Sequence, residues 1–186
     1  MRIISGKFKG KKIQFLKNIV TRPLKDSVRE NIFNILNHSN EINTKVKDSY
    51  ILDAYSGIGS FGLECISRGA CKVTFVEQDA NALKKLQKNV FELSIINQCK
   101  IIKSKIEDLN FSNQKEKFNI FFFDPPFADK NFIKNLENIK KKEIHENKHI
   151  IVIHREIKTK ETFGSYFHQV ATRVYGRSKI IFGKFN

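Results

Sequence analysis

Tyr50-Ile-Leu-Asp53-Ala-Tyr-Ser56-Gly57-Ile-Gly59-Ser-Phe-Gly62 is the stretch that decides how this chain folds. Its first five residues, Tyr50–Ala54, have the composition of a short buried strand, and the glycines that follow make a tight turn. Residues 61–68 then read as a helix closed by Gly69, and Lys72–Glu77 as a second strand. A strand that passes through a turn into a helix and on to another strand is the parallel crossover unit. The expected class is therefore α/β, with the glycine turn at the carboxyl edge of the sheet.

The same alternation continues downstream. Residues 79–91 place Leu83, Leu86 and Val90 on one helical face, and 100–103 read as a third strand. Residues 117–123 hold a Phe-Asn-Ile-Phe-Phe-Phe run continuous enough for a strand buried on both faces. A helix over 131–140, a fifth strand over 149–154, and a terminal hairpin of strands 167–175 and 178–185 around Gly176 complete the chain. Upstream, Val28, Ile32, Ile35 and Leu36 follow helical spacing from Asp26 to about Asn37. Before that helix, residues 2–4 and 11–15 are expected to pair as a small β-hairpin around Gly6 and Gly10.

A length of 186 residues against roughly 150 per domain leaves room for one domain. Within it, residues 1–20 read as a basic hairpin extension and 21–186 as the α/β core. Hydrophobic residues make up 40% of the chain, enough for a sizeable core, which excludes global disorder. Thirty-four Lys and Arg against nineteen Asp and Glu leave a formal charge of +15, pointing to an anionic partner, nucleic acid first. No apolar run suits a signal peptide or a membrane span, so a cytoplasmic protein without a membrane partner is expected. Cys65, Cys71 and Cys99 are odd in number and lack CxxC spacing, and read as reduced core residues rather than a disulfide or zinc framework.

Two constellations carry chemistry. Gly57, Gly59 and Gly62 satisfy a GxGxxG spacing, whose value lies in letting backbone approach a ligand. Asp53 precedes the turn and Glu77 ends the next strand. A carboxylate in Glu77's place can accept both hydroxyls of a ribose. An ionised Asp53 is badly placed for a pyrophosphate and well placed for an α-ammonium group. The expected ligand carries an amine and a ribose, as S-adenosylmethionine does, with Ser56, Gly57 and Gly59 beside it. The second constellation is Asp124-Pro125-Pro126-Phe127, after the fourth strand and so on the same carboxyl edge. Asp124 and the Pro125 carbonyl can both accept hydrogen bonds from one exocyclic amine, and Phe127 offers a ring on which the base can stack.

These two motifs resemble motifs I and IV of class I S-adenosylmethionine-dependent methyltransferases that act on exocyclic amines. Gly6-Lys-Phe-Lys-Gly10-Lys-Lys, Arg22-Pro23-Leu-Lys-Asp26-Ser-Val28-Arg29-Glu30-Asn-Ile-Phe33-Asn34 and Gly62-Leu-Glu-Cys-Ile-Ser67-Arg68-Gly69-Ala70 resemble the RsmD family. The resemblance runs from Arg2 almost to the C-terminus. It implies methyl transfer to N2 of a guanine in small-subunit (16S) ribosomal RNA, on a seven-stranded Rossmann-like sheet with an antiparallel last hairpin. By position, Asp53, Ser56, Gly57, Gly59 and Glu77 hold the cofactor, while Asp124, Pro125 and Phe127, with Pro126 beside them, hold the guanine. Arg22 contacts either cofactor or RNA phosphate. Two places depart from the family pattern. Ser104-Lys105-Ile106-Glu107 leaves adenine to backbone groups and Ile106, and His154-Arg155-Glu156 is more basic than the family leads one to expect.

Lys7, Lys9, Lys11 and Lys12 are expected to bind RNA phosphates, whereas Lys140–Lys142 reads as a solvated helix end. His145, His149 and His154 lack the acidic or cysteine partners of a metal site, and none is expected. The implied partner is ribosomal RNA within a small-subunit assembly intermediate, met by a monomer. The alternative chemistry for the same tetrapeptide is methylation of adenine N6 in DNA or RNA.

Overall fold

The computed structural model describes residues 1–15, 24–111, 116–129 and 131–186. Its elements run α1 (Asp26–His38), β1 (Tyr50–Ala54), α2 (Ser60–Ser67), β2 (Lys72–Glu77), α3 (Ala80–Glu92), β3 (Cys99–Lys103), β4 (Phe118–Phe123), α4 (Phe132–Lys141), β5 (His145–Glu156), β6 (Phe167–Tyr175) and β7 (Ser178–Phe185). A short 3-10 turn, Ile96–Gln98, leads into β3. The seven strands form one sheet in the order β3-β2-β1-β4-β5-β7-β6. The first five are parallel, and β7 enters antiparallel between β5 and β6.

Side chains alternate across the strands, which assigns them to two cores. Ile51, Ile120, Phe122, Val152 and Phe182 face α1, α2 and α3. Leu52, Ala54, Phe121, Phe123, Ile151 and Ile153 face α4. Phe61 of α2 stacks between Phe33 of α1 (centroids 5.1 Å apart) and Phe122 of β4 (3.9 Å), tying two helices to the sheet centre. Asp79 caps α3 by accepting from the Ala82 N–H at 2.7 Å, satisfying one orphan donor of the first turn. Lys140 and Lys141 lie in the last turn of α4, where cations complement the helix dipole.

The strand order is reversed beside β1: the chain winds outward to β2 and β3, then returns to β4 on the other side. Ala54 pairs with both Val76 and Phe123, so the loops after β1, β2 and β4 open onto one crevice. A crevice at such a switch point is where open α/β sheets bind ligands.

The N-terminal segment pairs with itself as expected, but over a shorter length. Arg2 and Lys12 form an antiparallel bridge, held by the Ile3 N–H on the Lys11 carbonyl (3.0 Å) and the Ile13 N–H on the Met1 carbonyl (3.1 Å), and the pairing stops there because the amides of Ile4 and Ser5 donate to the Glu64 carboxylate (2.7 and 2.9 Å). Ile3 and Ile13 join the core on the α1 and α2 side, so this segment is part of the domain it precedes. The expected boundary at residues 20 and 21 lies outside the described residues. Cys71 is exposed, contrary to its reading as a core residue, because it sits in the turn before β2. Among the described residues no helix is long and apolar enough to cross a membrane.

Candidate active site

The glycine turn is built from three glycines with different duties. Gly57, at φ +55°, faces open space where a Cβ would stand. Gly59, at φ +83°, is the N-cap of α2, and a Cβ there would lie 2.4 Å from Leu86 Cδ1 and 3.1 Å from Phe75 Cε1. Gly62 is likewise pressed against Phe75, at 2.3 Å. Only Gly57 therefore leaves room for close approach of a ligand. Gly59, expected at the cofactor, is required by turn geometry and core packing. Beside Gly57, the Ser56 Oγ is buried and has no hydrogen-bond partner among the described residues, although its N–H donates to the Val76 carbonyl at 2.9 Å.

Three carboxylates converge on this crevice. Asp53 is 1% exposed and accepts from the Gly62 N–H at 2.9 Å. Burial pushes its carboxyl well above the ordinary range; the Gly62 bond opposes this, and the neighbouring charges of Asp124 and Glu77 add to it. Glu77 accepts from the N–H groups of Gly57 (2.7 Å), Gln78 (2.8 Å) and Asp79 (2.7 Å), stapling the turn after β1 to the turn after β2. A carboxylate offers about four acceptor sites, so Glu77 has one left for a ribose hydroxyl unless a backbone bond yields, fewer than the pair expected. Among the described residues neither Asp53 nor Glu77 has a cation within ion-pair distance. Glu77 is held by backbone N–H groups and Asp53 by one, so a cationic ligand is the partner that would favour the ionised form of Asp53 against its burial.

The tetrapeptide Asp124–Phe127 borders the same crevice and is gripped by two successive residues of β5. Arg155, 4% exposed, donates to the carbonyls of Pro126 (3.1 Å) and Phe127 (2.9 Å), and only distantly to that of Pro125 (3.5 Å). Its guanidinium also pairs with Glu161 at 3.1 Å and lies over the Phe132 ring. On the other face of β5, His154 Nδ1 stands 2.7 Å from Asp124 Oδ1, and its Nε2 stands 3.0 Å from Ser178 Oγ. Asp124 Oδ2 has no partner among the described residues, and the side chain is 27% exposed. Phe127 is 41% exposed, with its ring edge-to-face against His154. Asp124 Oδ2 thus keeps acceptor capacity next to an accessible aromatic ring, while the buried Pro125 carbonyl meets Arg155 Nη1 only at 3.5 Å and retains a second lone pair.

Other expected residues fall elsewhere. Ile106 is 7% exposed and packs into the α4-side core with Leu109 and Phe111, leaving little surface for an adenine. The turn carrying Lys7 and Lys9 is bonded to Ser67 in the last turn of α2, through the Lys7 N–H at 2.7 Å. α2 runs from the carboxyl edge toward the opposite edge, so those lysines are exposed at the end remote from the crevice. Arg22 lies outside the described residues. Tyr55 was not anticipated: it adopts φ +60° within the turn, and its hydroxyl accepts from Asn135 Nδ2 at 3.0 Å, linking the turn to α4. Its position between Ala54 and Ser56 was visible in the sequence, but the distant Asn135 was not. A groove of about 540 Å³ between α3 and β3, lined by Phe91, Ile96, Cys99 and Ile101, touches neither motif.

The sequence matches the family described as Conserved hypothetical protein 95 over residues 1–184. The chain belongs to this family. It is the RsmD family of the sequence resemblance, and relatives bear names to that effect. Ribosomal RNA small subunit methyltransferase D of Buchnera aphidicola subsp. Baizongia pistaciae is 36% identical over 127 residues, covering 68% of this chain. The match spans 61% of that relative's own length. The solved structure of yhhF from Escherichia coli superposes with a TM-score of 0.82 at 25% identity, over 100% of this chain and 98% of that one. An RNA methyltransferase from Salinibacter ruber, solved in complex with S-adenosyl-L-homocysteine, shares the fold at a TM-score of 0.62 and 13% identity, over 87% of this chain and 92% of that one. The RsmD-family fold is thus the Rossmann-like α/β sheet expected from the strand alternation.

Proposed function

We propose that this chain is an S-adenosylmethionine-dependent methyltransferase acting on the exocyclic N2 amine of a guanine in small-subunit ribosomal RNA. The observation that carries the reading is the meeting, in one crevice, of carboxylates without a cationic partner among the described residues with the free Oδ2 of Asp124 and the weakly engaged Pro125 carbonyl. The names borne by its RsmD relatives and the cofactor product held by the Salinibacter ruber enzyme support the same class. Asp53 would receive the cofactor's ammonium group, Glu77 one ribose hydroxyl, and the buried Ser56 Oγ and open face of Gly57 would line its path. When bound, S-adenosylmethionine supplies a methyl group already activated by its sulfonium.

The protein's own part is to hold the amine. A guanine N2 lone pair is delocalised into its ring, so the nitrogen is a weak nucleophile. Hydrogen bonds from its two N–H groups to Asp124 Oδ2 and the Pro125 carbonyl favour a more pyramidal nitrogen and aim it along the line of transfer. Phe127 would stack on the base and Pro126 would keep the loop rigid. Once the nitrogen has taken the methyl group that the cofactor supplies, its extra proton would leave to Asp124 or water. A paired base cannot reach this crevice, so the guanine would be flipped out or drawn from a loop. The exposed Lys7, Lys9, Lys11 and Lys12 would meet RNA phosphates at a distance from the reacting base, in the manner of a broad footprint on a small-subunit assembly intermediate, with the protein acting as a monomer.

Asp124→Ala tests the reading. Methyl transfer to unmodified small-subunit RNA should fall by at least a hundredfold, with cofactor affinity within about threefold of the unsubstituted protein. Unchanged turnover would remove Asp124 from its role, and label recovered in N6-methyladenosine would replace the acceptor.

A further inference from the structure

We propose that His154 is a positioning residue for the acceptor amine: its Nδ1 proton holds Asp124 Oδ1, which leaves Oδ2 presented to the crevice, and the Ser178 hydroxyl satisfies Nε2 in either charge state of the ring. The inference rests on reading the crevice as a methyl-transfer site and adds the residues that set its geometry.

The tautomer follows from donor and acceptor inventories. A carboxylate can only accept, so the 2.7 Å contact between His154 Nδ1 and Asp124 Oδ1 requires a proton on Nδ1. In the neutral ring Nε2 is then an acceptor, and the Ser178 hydroxyl, 3.0 Å away, donates to it. In the protonated ring Nε2 donates to the same Oγ instead. The Nδ1–H bond to Asp124 is therefore present in both charge states. Ser178 stands opposite Glu156 in the β5–β7 register and His154 opposite Ile180, so serine and imidazole are diagonal neighbours on one face of an antiparallel pair.

The placement explains why two basic residues stand just before the last residue of β5. Strands β4 and β5 are parallel neighbours, so the residues that end β5 lie beside the loop that follows β4. Successive side chains point to opposite faces: Arg155 grips that loop by its backbone carbonyls, and His154 grips the carboxylate that is to accept from the substrate amine. A carboxylate turns broadly about its last torsion, and an Asp124 without this bond could present either oxygen or neither. The same imidazole meets Phe127 at 5.6 Å between centroids and 77° between planes, so it also sets the spacing between the stacking ring and the hydrogen-bonding carboxylate. His154 is 5% exposed, which leaves this work as its polar function.

The test combines a spectrum of the ligand-free protein with steady-state kinetics. Long-range 15N–1H correlation should show His154 as the Nδ1–H tautomer near neutral pH, and Asp124→Ala should abolish that preference. His154→Phe keeps a ring against Phe127 and removes the bond to Asp124. It should lower kcat about thirtyfold, with KM for RNA and for cofactor within threefold, since misplacing a reacting group by about 1 Å costs up to a hundredfold. His154→Asn returns an N–H donor close to the place of Nδ1 and should recover kcat to within about threefold of the unsubstituted protein. An Nε2–H tautomer, a His154→Phe enzyme as fast as the parent, or an asparagine variant as slow as the phenylalanine one would each overturn the proposal. If the parent protein transferred no methyl group to guanine, the function reading would fall, and the tautomer alone would decide the Asp124–His154 pairing.

Discussion

Replacing Arg155 with methionine removes the clamp on the Asp124–Phe127 loop and keeps most of the side-chain volume. The arginine makes two short hydrogen bonds to loop carbonyls, at 3.1 and 2.9 Å, and one ion pair with Glu161 at 3.1 Å. A hydrogen bond from a charged donor contributes about 1.5–3 kcal/mol, and breaking a buried pair costs about 3–5 kcal/mol. Two facts lower the sum. Glu161 keeps its second cation, Lys179, and the exposed loop lets water reach the freed carbonyls. Methionine also stays in contact with the Phe132 ring over which the guanidinium lies. The expected loss is about 3 kcal/mol, at the lower end for a broken buried pair. With an m value of about 2 kcal/mol/M, the urea midpoint should fall by about 1.5 M with m unchanged. A loss below about 1 kcal/mol, where exposed ion pairs fall, would show that Arg155 does not hold the loop.

Three further outcomes follow from the site and its surroundings. Asp53→Asn keeps an oxygen for the Gly62 N–H and removes a buried charge whose carboxyl is pushed up by burial and by Asp124 and Glu77. The unfolded aspartate ionises near pH 4 and the folded one resists, so the native carboxylate costs stability above that pH; thermal unfolding at pH 8 should rise by about 2–4 °C per kcal/mol recovered, while cofactor affinity measured calorimetrically falls at least tenfold. Gly57→Ala should weaken cofactor binding with about 1 kcal/mol of left-handed strain, whereas Gly59→Ala should cost about 2–3 kcal/mol in urea unfolding because Leu86 and Phe75 occupy the space. His145, pushed down to about 4 by burial and then by His149, and His149, also lowered mainly by burial, bind fewer protons folded than unfolded. Their contribution to stability is full above about pH 6.5 and is lost as pH falls toward 4, so His145→Phe should flatten the decline of Tm over that interval.

Much of the architecture was legible because local signals agreed with the global fold. Strands β1, β2, β6 and β7 have the bounds expected from residue type and turn glycines, and Leu86 and Val90 mark the buried face of α3. What escaped depended on partners distant in sequence. Residues 145–148 are polar and look like loop, yet His145 pairs with Phe118 and opens β5 four residues early. The N-terminal hairpin is cut short by Glu64, 0% exposed, which also takes Arg68 at 2.8 Å; nothing in residues 1–15 announces that competitor. In the site, Asp53, Ser56, Gly57 and Asp124 stand where the motifs put them. Glu77 was read as a free ribose acceptor because a sequence does not show three backbone amides converging on one carboxylate. His154-Arg155 was visible as an unusual basic pair, but its hold on the tetrapeptide emerges only when β5 is laid beside β4.

The most direct test of the central claim is transfer of radiolabelled methyl from S-adenosylmethionine to unmodified small ribosomal subunits, followed by digestion to nucleosides and chromatography. The account predicts label in N2-methylguanosine, lost with Asp124→Ala. Label in any other nucleoside, or transfer that survives Asp124→Ala, would contradict it.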